Sequence, residues 1–412
     1  MSRMKQAFTA GNRGEAVKRP RLEILDGIRC FAAIYVVIFH FAAADRGTWK
    51  TPTRLSFGPL FVFGTYGWLG VELFFMISGF VICMSTWGKS IGQFVTSRII
   101  RLYPAYWLSV LLTAVVVLLD RSMATPDVSS ALTWPHVLQN LTMTEGFTKV
   151  AYVDPSYWTL TIEVTFYALF GLTVAWRGLT YWRVIIFCVA WLTTSLVTIW
   201  IHVTILNMVV QPLYAPFFCG GMVMYLIYRF KPDPWLWAVL SASYAISIYR
   251  LDDRTYAQHR NGWFMNYAVS SAIVTVFFLV LLSVALGKLD WVRGRWLVTA
   301  GALTYPVYLI HQQIGETLLR SLLDYIPRWP LLVLMFAFVL ALAWTIHRFV
   351  ERPVAKALKK VLTPVVPPPA RIPSPRGASD QTDSGVLSET DELIATALPH
   401  GRPRPDHSRR QR

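Results

Sequence analysis

Residues 25–41 of the chain read LDGIRCFAAIYVVIFHF, an apolar stretch that carries an arginine, Arg29, and a histidine, His40. Such groups are costly inside a membrane, by roughly 2.5–3.5 kcal/mol for an arginine at mid-depth. On a helix that rises about 1.5 Å per residue, the two side chains lie roughly 16 Å apart, about half the thickness of a bilayer core. We therefore expect a membrane helix that holds functional groups at two depths.

The composition of the whole chain is that of a membrane protein. Of its 412 residues, 54% are hydrophobic and only 15% are charged, whereas about 25% are charged in soluble domains. Residues 1–22 are polar and basic, without the apolar core and small-residue cleavage site of a signal peptide. We therefore expect the first apolar segment to remain in the protein as an anchor.

Ten apolar stretches are candidates for membrane spans. They are approximately Ile28–Ala44, Tyr66–Met84, Pro104–Leu119, Tyr157–Ala175, Val184–Ile201, Leu206–Tyr228, Trp235–Tyr249, Phe264–Leu286, Leu297–Leu319 and Leu331–Phe349. An open sheet would leave backbone groups without partners in lipid, so these stretches should be helices. The sequence predicts an all-α polytopic membrane protein with about ten transmembrane helices.

Basic residues predict the orientation of this bundle. With the N-terminus in the cytoplasm, the inner segments hold about twice as many Lys and Arg residues as the outer ones, which favours two cytoplasmic termini in a bacterial inner membrane. We expect a basic N-terminal tail over 1–24, a membrane domain over 25–362 and a disordered, Pro-rich cytoplasmic tail over 363–412. The net charge of +16 suits membrane lipids, and nucleic acid is not an expected partner because no nucleic-acid-binding module is present.

Four ionisable side chains on four predicted helices fall at similar depth, toward the outer ends: His40, Glu72, Glu163 and His311. An imidazole can take a proton from a hydroxyl, and a carboxylate can orient the ring and stabilise its charged form. The layer therefore indicates general acid–base chemistry. The alternative is that each group is a buried polar bridge between helices.

A second polar layer is predicted at the cytoplasmic side. Arg98 and Arg101 are three residues apart and share a helical face, and Arg29 lies at a similar depth. Arginine forks bind phosphate bidentately, so this group could hold a diphosphate, or it could simply contact lipid headgroups. No metal site is expected, because the four cysteines show no paired spacing.

Taken in order, these segments resemble the integral-membrane acyltransferase-3 family. LDGIRCFAAIYVVIFH is similar to the family's first helix with its Arg-x10-His element, and GVELFFMISGFVI to the second, although Glu72 stands where the family usually has Asp. FVTSRIIRLYPAYW resembles the Arg-x-x-Arg helix, WTLTIEVTFY the Trp-Ser-Leu-x-x-Glu-x-x-Phe-Tyr stretch, and TYPVYLIHQ and HRFVERPV the last two motifs. The resemblance covers about Leu25–Lys360.

This resemblance implies transfer of an acyl group, often acetyl, from cytoplasmic acyl-CoA to a hydroxyl of a carbohydrate or natural product. It implies His40 as the catalytic base and Arg98 and Arg101 as contacts for the CoA phosphates, with Arg29 beside them. Second-tier catalytic candidates are Glu163, Glu72 and His311. The alternative from the residues alone is a proton-coupled secondary transporter of a sugar or organic acid, in which the same layer would relay protons. The inverted repeat common in transporters is not apparent.

Overall fold

The structure is a computed structural model that describes residues 22–362, apart from 45–47, 120–127, 129–131, 149, 199, 202 and 261–264, and only the backbone of 256–260. The described residues form helices and turns and no strand. The predicted disordered tail over 363–412 and nearly all of the predicted basic tail over 1–24 lie outside the described residues.

The α-helices are numbered along the chain as follows. They are α1 Glu23–Ile38, α2 Thr53–Phe57, α3 Pro59–Gly64, α4 Gly70–Thr86, α5 Ile91–Leu119, α6 Trp134–Asn140, α7 Glu145–Thr148, α8 Trp158–Thr173, α9 Tyr181–Val197, α10 Thr204–Val210, α11 Ala215–Phe230, α12 Pro234–Arg260, α13 Tyr267–Ala285, α14 Arg295–Ile310, α15 Gln313–Leu322, α16 Arg328–Ile346 and α17 Arg352–Leu362. A π-helical turn, Phe39–Ala43, continues α1, and another, His347–Glu351, joins α16 to α17.

The predicted fold class is confirmed. Within the described residues, seven helical segments are long and apolar enough to cross a membrane, and α9 is a shorter apolar helix. Each of the ten predicted stretches falls on one or two of the helices. The exact number of spans and the cytoplasmic position of the termini stay predictions.

The third stretch begins earlier than its hydropathy indicates. The sequence places its start at Pro104, but α5 runs from Ile91, and Pro104 lies inside the helix. The first turns of α5 carry Arg98 and Arg101, whose charges lower the local hydropathy although the backbone is already helical. The helix therefore brings both arginines into the bundle on one continuous element.

Two predicted spans are interrupted. The sixth breaks between α10 and α11, where Gln211 adopts a left-handed conformation with φ +50° and precedes Pro212. A proline disfavours the right-handed helical conformation in the residue before it, which explains the position of this break. The ninth breaks at His311 and Gln312, and the backbone N–H of Gln313 donates to Asp154 Oδ2 at 2.9 Å.

The tightest helix pair in the core is α4 with α11. A Cβ atom added to Gly221 would lie 1.8 Å from the backbone oxygen of Met76, and one added to Gly79 would lie 2.1 Å from that of Phe218. The two backbones are thus in direct contact, which only glycine permits, and close packing of this kind holds helices together where lipid gives no hydrophobic drive. The contact holds α4, which contributes Phe75 and Ser78 to the cavity described below, against α11.

The predicted functional residues lie on helices that pack on one another. α1 packs against both α4 and α14, and α14 also contacts α5. His311 directly follows α14. Around α14 lie α1, with Arg29 and His40, and α5, with Arg98 and Arg101. Together with α4, four distant sequence segments thereby contribute to one region of the bundle.

Candidate active site

His40 lies in the π-helical turn that ends the first helix. The backbone N–H of Ala44 donates to the oxygen of Phe39 at 2.6 Å, which is the i→i+5 bond that defines this turn. Such turns are rare and occur mostly as single bulges, often at functional sites. The turn rotates His40 relative to the rest of the helix and sets the direction of its ring.

Two groups from the broken ninth span surround His40. The Nδ1 atom of His40 lies 3.8 Å from Glu316 Oε1, and both side chains are about nine-tenths buried. The His40 and His311 rings are 5.0 Å apart between centroids. A carboxylate at this distance stabilises a protonated imidazole, and the effect is stronger because the site is screened from water. The geometry is that of a base with an anionic neighbour.

The ring of His311 is oriented by its own helix. Its Nδ1 lies 2.7 Å from the carbonyl oxygen of Tyr308. A carbonyl oxygen can only accept, so Nδ1 carries the hydrogen, and in the neutral ring the lone pair is on Nε2. His311 is fully buried, and it is thus a second imidazole held in one tautomer beside His40.

Tyr308 connects this histidine pair to an internal cavity. Its ring lies 5.3 Å from that of His311 and 5.9 Å from that of Phe74. Its hydroxyl accepts from Thr159 Oγ1 at 2.8 Å and donates to the Ser156 carbonyl at 3.2 Å. With both partners in place the side chain is fixed, and one side of the residue lines the cavity.

The cavity has a volume of about 60 Å³, enough for about four water molecules at roughly 15 Å³ each. Apolar side chains form part of its lining, and the side chains with polar groups are Arg29, Ser78, Arg101, Thr159, Glu163, Thr304, Tyr305 and Tyr308. Two arginines and one carboxylate therefore face a space of the size of a small acyl group. Tyr308, which contacts His311, forms part of its wall.

Glu163 is held within this cavity wall. Its Oε1 accepts from Ser78 Oγ at 3.0 Å and from the hydroxyl of Tyr167. The two hydrogen bonds hold the half-buried carboxyl group in one orientation. The carboxylate found beside His40 is Glu316, whereas Glu163 is placed with the arginines.

Arg98 is separated from Arg101 although both lie on one helical face. Its guanidinium donates to Ser85 Oγ and lies 5.4 Å from the centre of the Tyr167 ring and 5.7 Å from that of Phe94. Arg101 lines the cavity. The structure thus brings Arg29 and Arg101 to one space and places Arg98 behind Tyr167, which itself bonds Glu163.

Glu72 is in a separate buried ion pair. Its Oε1 lies 2.8 Å from a guanidinium nitrogen of Arg254, and its side chain is 1% exposed. The guanidinium also lies over three aromatic rings, at 4.7 Å from Tyr214, 5.2 Å from Trp68 and 5.8 Å from Trp158. The structure therefore does not bring Glu72 to His40, and its role is to neutralise and fix Arg254.

Among the described residues, no group of three or more His, Cys, Asp or Glu side chains has the arrangement of a metal site.

Several of these residues were absent from the sequence prediction. Glu316 follows His311 by five residues. On an unbroken helix the two side chains would point about 140° apart around the helix axis, so only the break lets both face His40. Tyr308 precedes His311 by three residues, a spacing that places both on one helical face and that could have identified it. Ser78 and Arg254 give no comparable signal in the sequence.

Comparison with known proteins gives consistent matches. A family profile described as an acyltransferase domain matches residues 22–348. Acyltransferase MdmB of Streptomyces mycarofaciens is 28% identical over 161 residues, which is 37% of this chain and 39% of that protein. ExoZ of Rhizobium meliloti, named an exopolysaccharide production protein, is 32% identical over 26% of this chain and 34% of its own length.

A third relative is YrhL of Bacillus subtilis, which is named provisionally as a peptidoglycan O-acetyltransferase. It is 30% identical over 160 residues, or 35% of this chain and 22% of that protein. The matched stretches thus span well under half the length of each of these relatives. No solved structure matches the chain.

Proposed function

The chain belongs to the acyltransferase family whose domain profile spans residues 22–348, and from that premise we propose that it is a membrane O-acyltransferase. It moves an acyl group, acetyl in the simplest case, from acyl-CoA to a hydroxyl of a carbohydrate or natural-product acceptor. The observation that carries this proposal is the pairing of His40 with Glu316 and His311 next to a cavity that holds Arg29 and Arg101.

In the proposed reaction, neutral His40 takes the proton of the acceptor hydroxyl as the oxygen attacks the thioester carbonyl. The charged imidazole that results is stabilised by Glu316 at 3.8 Å. The tetrahedral intermediate then collapses, the carbon–sulfur bond breaks, and the CoA thiolate recovers the proton from His40. The new ester and free CoA are the products, and nothing in the geometry requires an acyl-enzyme.

The arginines supply the donor side of the proposal. Guanidinium groups bind phosphate and polarise carbonyl oxygens, so Arg29 and Arg101 are proposed to hold acyl-CoA, with Arg98 supporting them through Tyr167. CoA is far larger than a cavity of about 60 Å³. The proposal therefore requires the helices around Arg101 to separate when the donor binds.

The relatives support the acceptor class. One is named for exopolysaccharide production and another for peptidoglycan O-acetylation, and both substrates are rich in sugar hydroxyls. We propose the same chemistry for this chain, in the plasma membrane, where the lipids surround the apolar helices.

The test compares wild type with His40→Ala and His347→Ala in the source cell after deletion of its own copy. His347 is the matched control because it also pairs with a carboxylate, Glu351, at 2.8 Å, but at the end of α16. Mass spectrometry of glycans and secreted metabolites should show an added acyl mass with wild type and His347→Ala, and none with His40→Ala. An equal signal from His40→Ala would refute the role of this base, and no signal from wild type would favour proton-coupled transport.

A further inference from the structure

A second cavity opens where α9, α10, α11 and α12 come together. It has a volume of about 510 Å³, within the range of roughly 300–1,000 Å³ found for small-molecule sites. Its polar lining is formed by Thr198, Asn207, Gln211, Tyr214, Arg250 and Asp253. We call this space the amide groove. By the predicted topology, all of these residues lie on the outer side of the membrane, the side of His40.

Two polar atoms of the amide groove are buried without a hydrogen-bond partner among the described residues: Asn207 Oδ1 and Arg250 Nε. The first can only accept a hydrogen bond and the second can only donate one. A hydroxyl group does both. Arg250 also faces Asp253 at 3.4 Å, so the groove offers a charged donor and a charged acceptor side by side. This combination suits a ligand with several hydroxyl groups.

The backbone of the groove is held in an uncommon conformation. Gln211 has φ +50°, and its side-chain amide donates to the carbonyl of Met208 at 2.6 Å. Non-glycine residues with this left-handed backbone conformation are strained and recur at ligand sites. Gln211 also lines a smaller adjoining cavity of about 140 Å³ together with Trp158 and Tyr152. A sugar ring has apolar C–H faces and polar hydroxyl edges. It therefore fits a protein surface in which aromatic faces lie beside polar groups.

Only one layer of aromatic side chains separates the amide groove from the internal cavity. The Tyr214 ring lies 5.1 Å from that of Phe75 and 5.6 Å from that of Trp158. Phe75 lines the internal cavity, and so does Thr159, which follows Trp158 in the chain. A ligand in the groove would therefore be next to the wall behind which Glu163 and Tyr308 lie.

We propose that the amide groove binds the sugar portion of the acceptor. This inference rests on the proposed O-acyl transfer and names the part of the molecule that recognises its acceptor. Asn207 and Arg250 pair with sugar hydroxyls, Asp253 accepts from another, and Tyr214 forms the side of the groove that faces the reaction.

The first test uses Asn207→Ala and Asp253→Ala, with Asp252→Ala as the matched control. Both aspartates are exposed, but Asp252 does not line the groove. Purified proteins receive acetyl-CoA and, as acceptor, the glycan fraction that wild-type cells acylate, isolated without its acyl groups from the deletion cells. The acceptor KM should rise about tenfold or more for the two groove variants, since each loses a hydrogen bond to a charged or buried group. The acetyl-CoA KM should stay unchanged, and Asp252→Ala should behave as wild type.

An unchanged acceptor KM in both groove variants would overturn this inference and leave acyl transfer intact. If wild type transfers no acyl group, the proposed function fails instead, and the inference fails with it. Equal changes in both KM values would indicate a general structural defect and would also contradict a specific acceptor role.

The second test blocks the groove without knowledge of the acceptor. Asp253→Cys and Asp252→Cys are treated in intact cells with a membrane-impermeant maleimide, and wild type controls for the half-buried natural Cys30. Modified Asp253→Cys should lose transfer, while modified Asp252→Cys should retain it. Full transfer by the modified Asp253→Cys protein, or failure of the reagent to reach it, would refute an externally open acceptor site.

Discussion

Glu316→Gln is the variant that tests most sharply how His40 works. The carboxylate lies 3.8 Å from His40 Nδ1, and both groups are about nine-tenths buried. With an effective dielectric constant of about 20, two unit charges at this distance attract by about 4 kcal/mol. A loss of that size from the transition state, in which the imidazole is charged, corresponds to about a thousandfold in rate.

The glutamine keeps the shape of the side chain and can still make a hydrogen bond, so part of the effect will be recovered. We expect kcat to fall by about 10²- to 10³-fold, because Glu316 acts through His40. The KM for acyl-CoA should stay unchanged, because Glu316 does not line the internal cavity that holds Arg29 and Arg101. Glu316→Asp should recover part of the rate, since it restores the charge. A merely structural role would not separate kcat from KM in this way.

The assay is the initial rate of acyl-CoA consumption by purified protein. The acceptor is the glycan fraction that wild-type cells acylate, taken unacylated from the deletion cells. The matched control is Glu351→Gln, which removes the carboxylate 2.8 Å from His347 at the other π-helical turn. This control should stay within about twofold of wild type. If Glu316→Gln also retains a kcat within about threefold of wild type, the proposed stabilisation of charged His40 is refuted.

Three further predictions concern stability. Arg254→Met and Glu72→Gln each leave one member of a buried ion pair without its partner, so each should lower the free energy of unfolding by about 3–5 kcal/mol; a double variant as unstable as the sum of the two would contradict the pairing. Gly221→Ala should strongly reduce the folded fraction on size-exclusion chromatography, because its Cβ would overlap a backbone oxygen, whereas Gly171→Ala, whose Cβ would meet side-chain carbons of Phe94 and Ile91 at 3.3 and 3.5 Å and no backbone atom, should not; equal yields would contradict the close helix contact. Burial raises the pKa of Glu145, in the predicted outer loop, from 4.5 to about 7, so the folded protein keeps a proton that the unfolded chain releases. The free energy of unfolding should therefore fall by up to about 3 kcal/mol as the pH rises from 4.5 to 7, and Glu145→Gln should remove this slope; the same slope in Glu145→Gln would contradict this assignment.

The sequence predicted most accurately those features that depend on hydropathy and composition, namely the fold class and the approximate positions of the helices. The helical class follows from the apolar stretches, and each predicted stretch falls on helix. Hydropathy failed at the start of α5, because Arg98 and Arg101 reduce the apolar signal in a segment that is nevertheless helical. It also gave no warning of the break at His311, which depends on Asp154, a residue far away in the chain.

For the candidate site, the sequence identified individual residues but not the contacts between them. Arg29, His40 and His311 attract attention because polar groups in apolar stretches are costly. Their partners could not be predicted, since depth along a helix says nothing about which face meets which neighbour. Glu163 and Glu72 share the predicted depth of His40, yet one bonds Ser78 and the other pairs with Arg254.

The most direct test of the account measures CoA release from acetyl-CoA by the purified protein, with and without the unacylated glycan fraction of the deletion cells, using mass spectrometry. Wild type and His347→Gln should release CoA only when acceptor is present, and each released CoA should match one new ester. His40→Gln should release none above background while still binding acetyl-CoA. Equal release by His40→Gln, or no acceptor-dependent release by wild type, would contradict the proposed acyl transfer at His40.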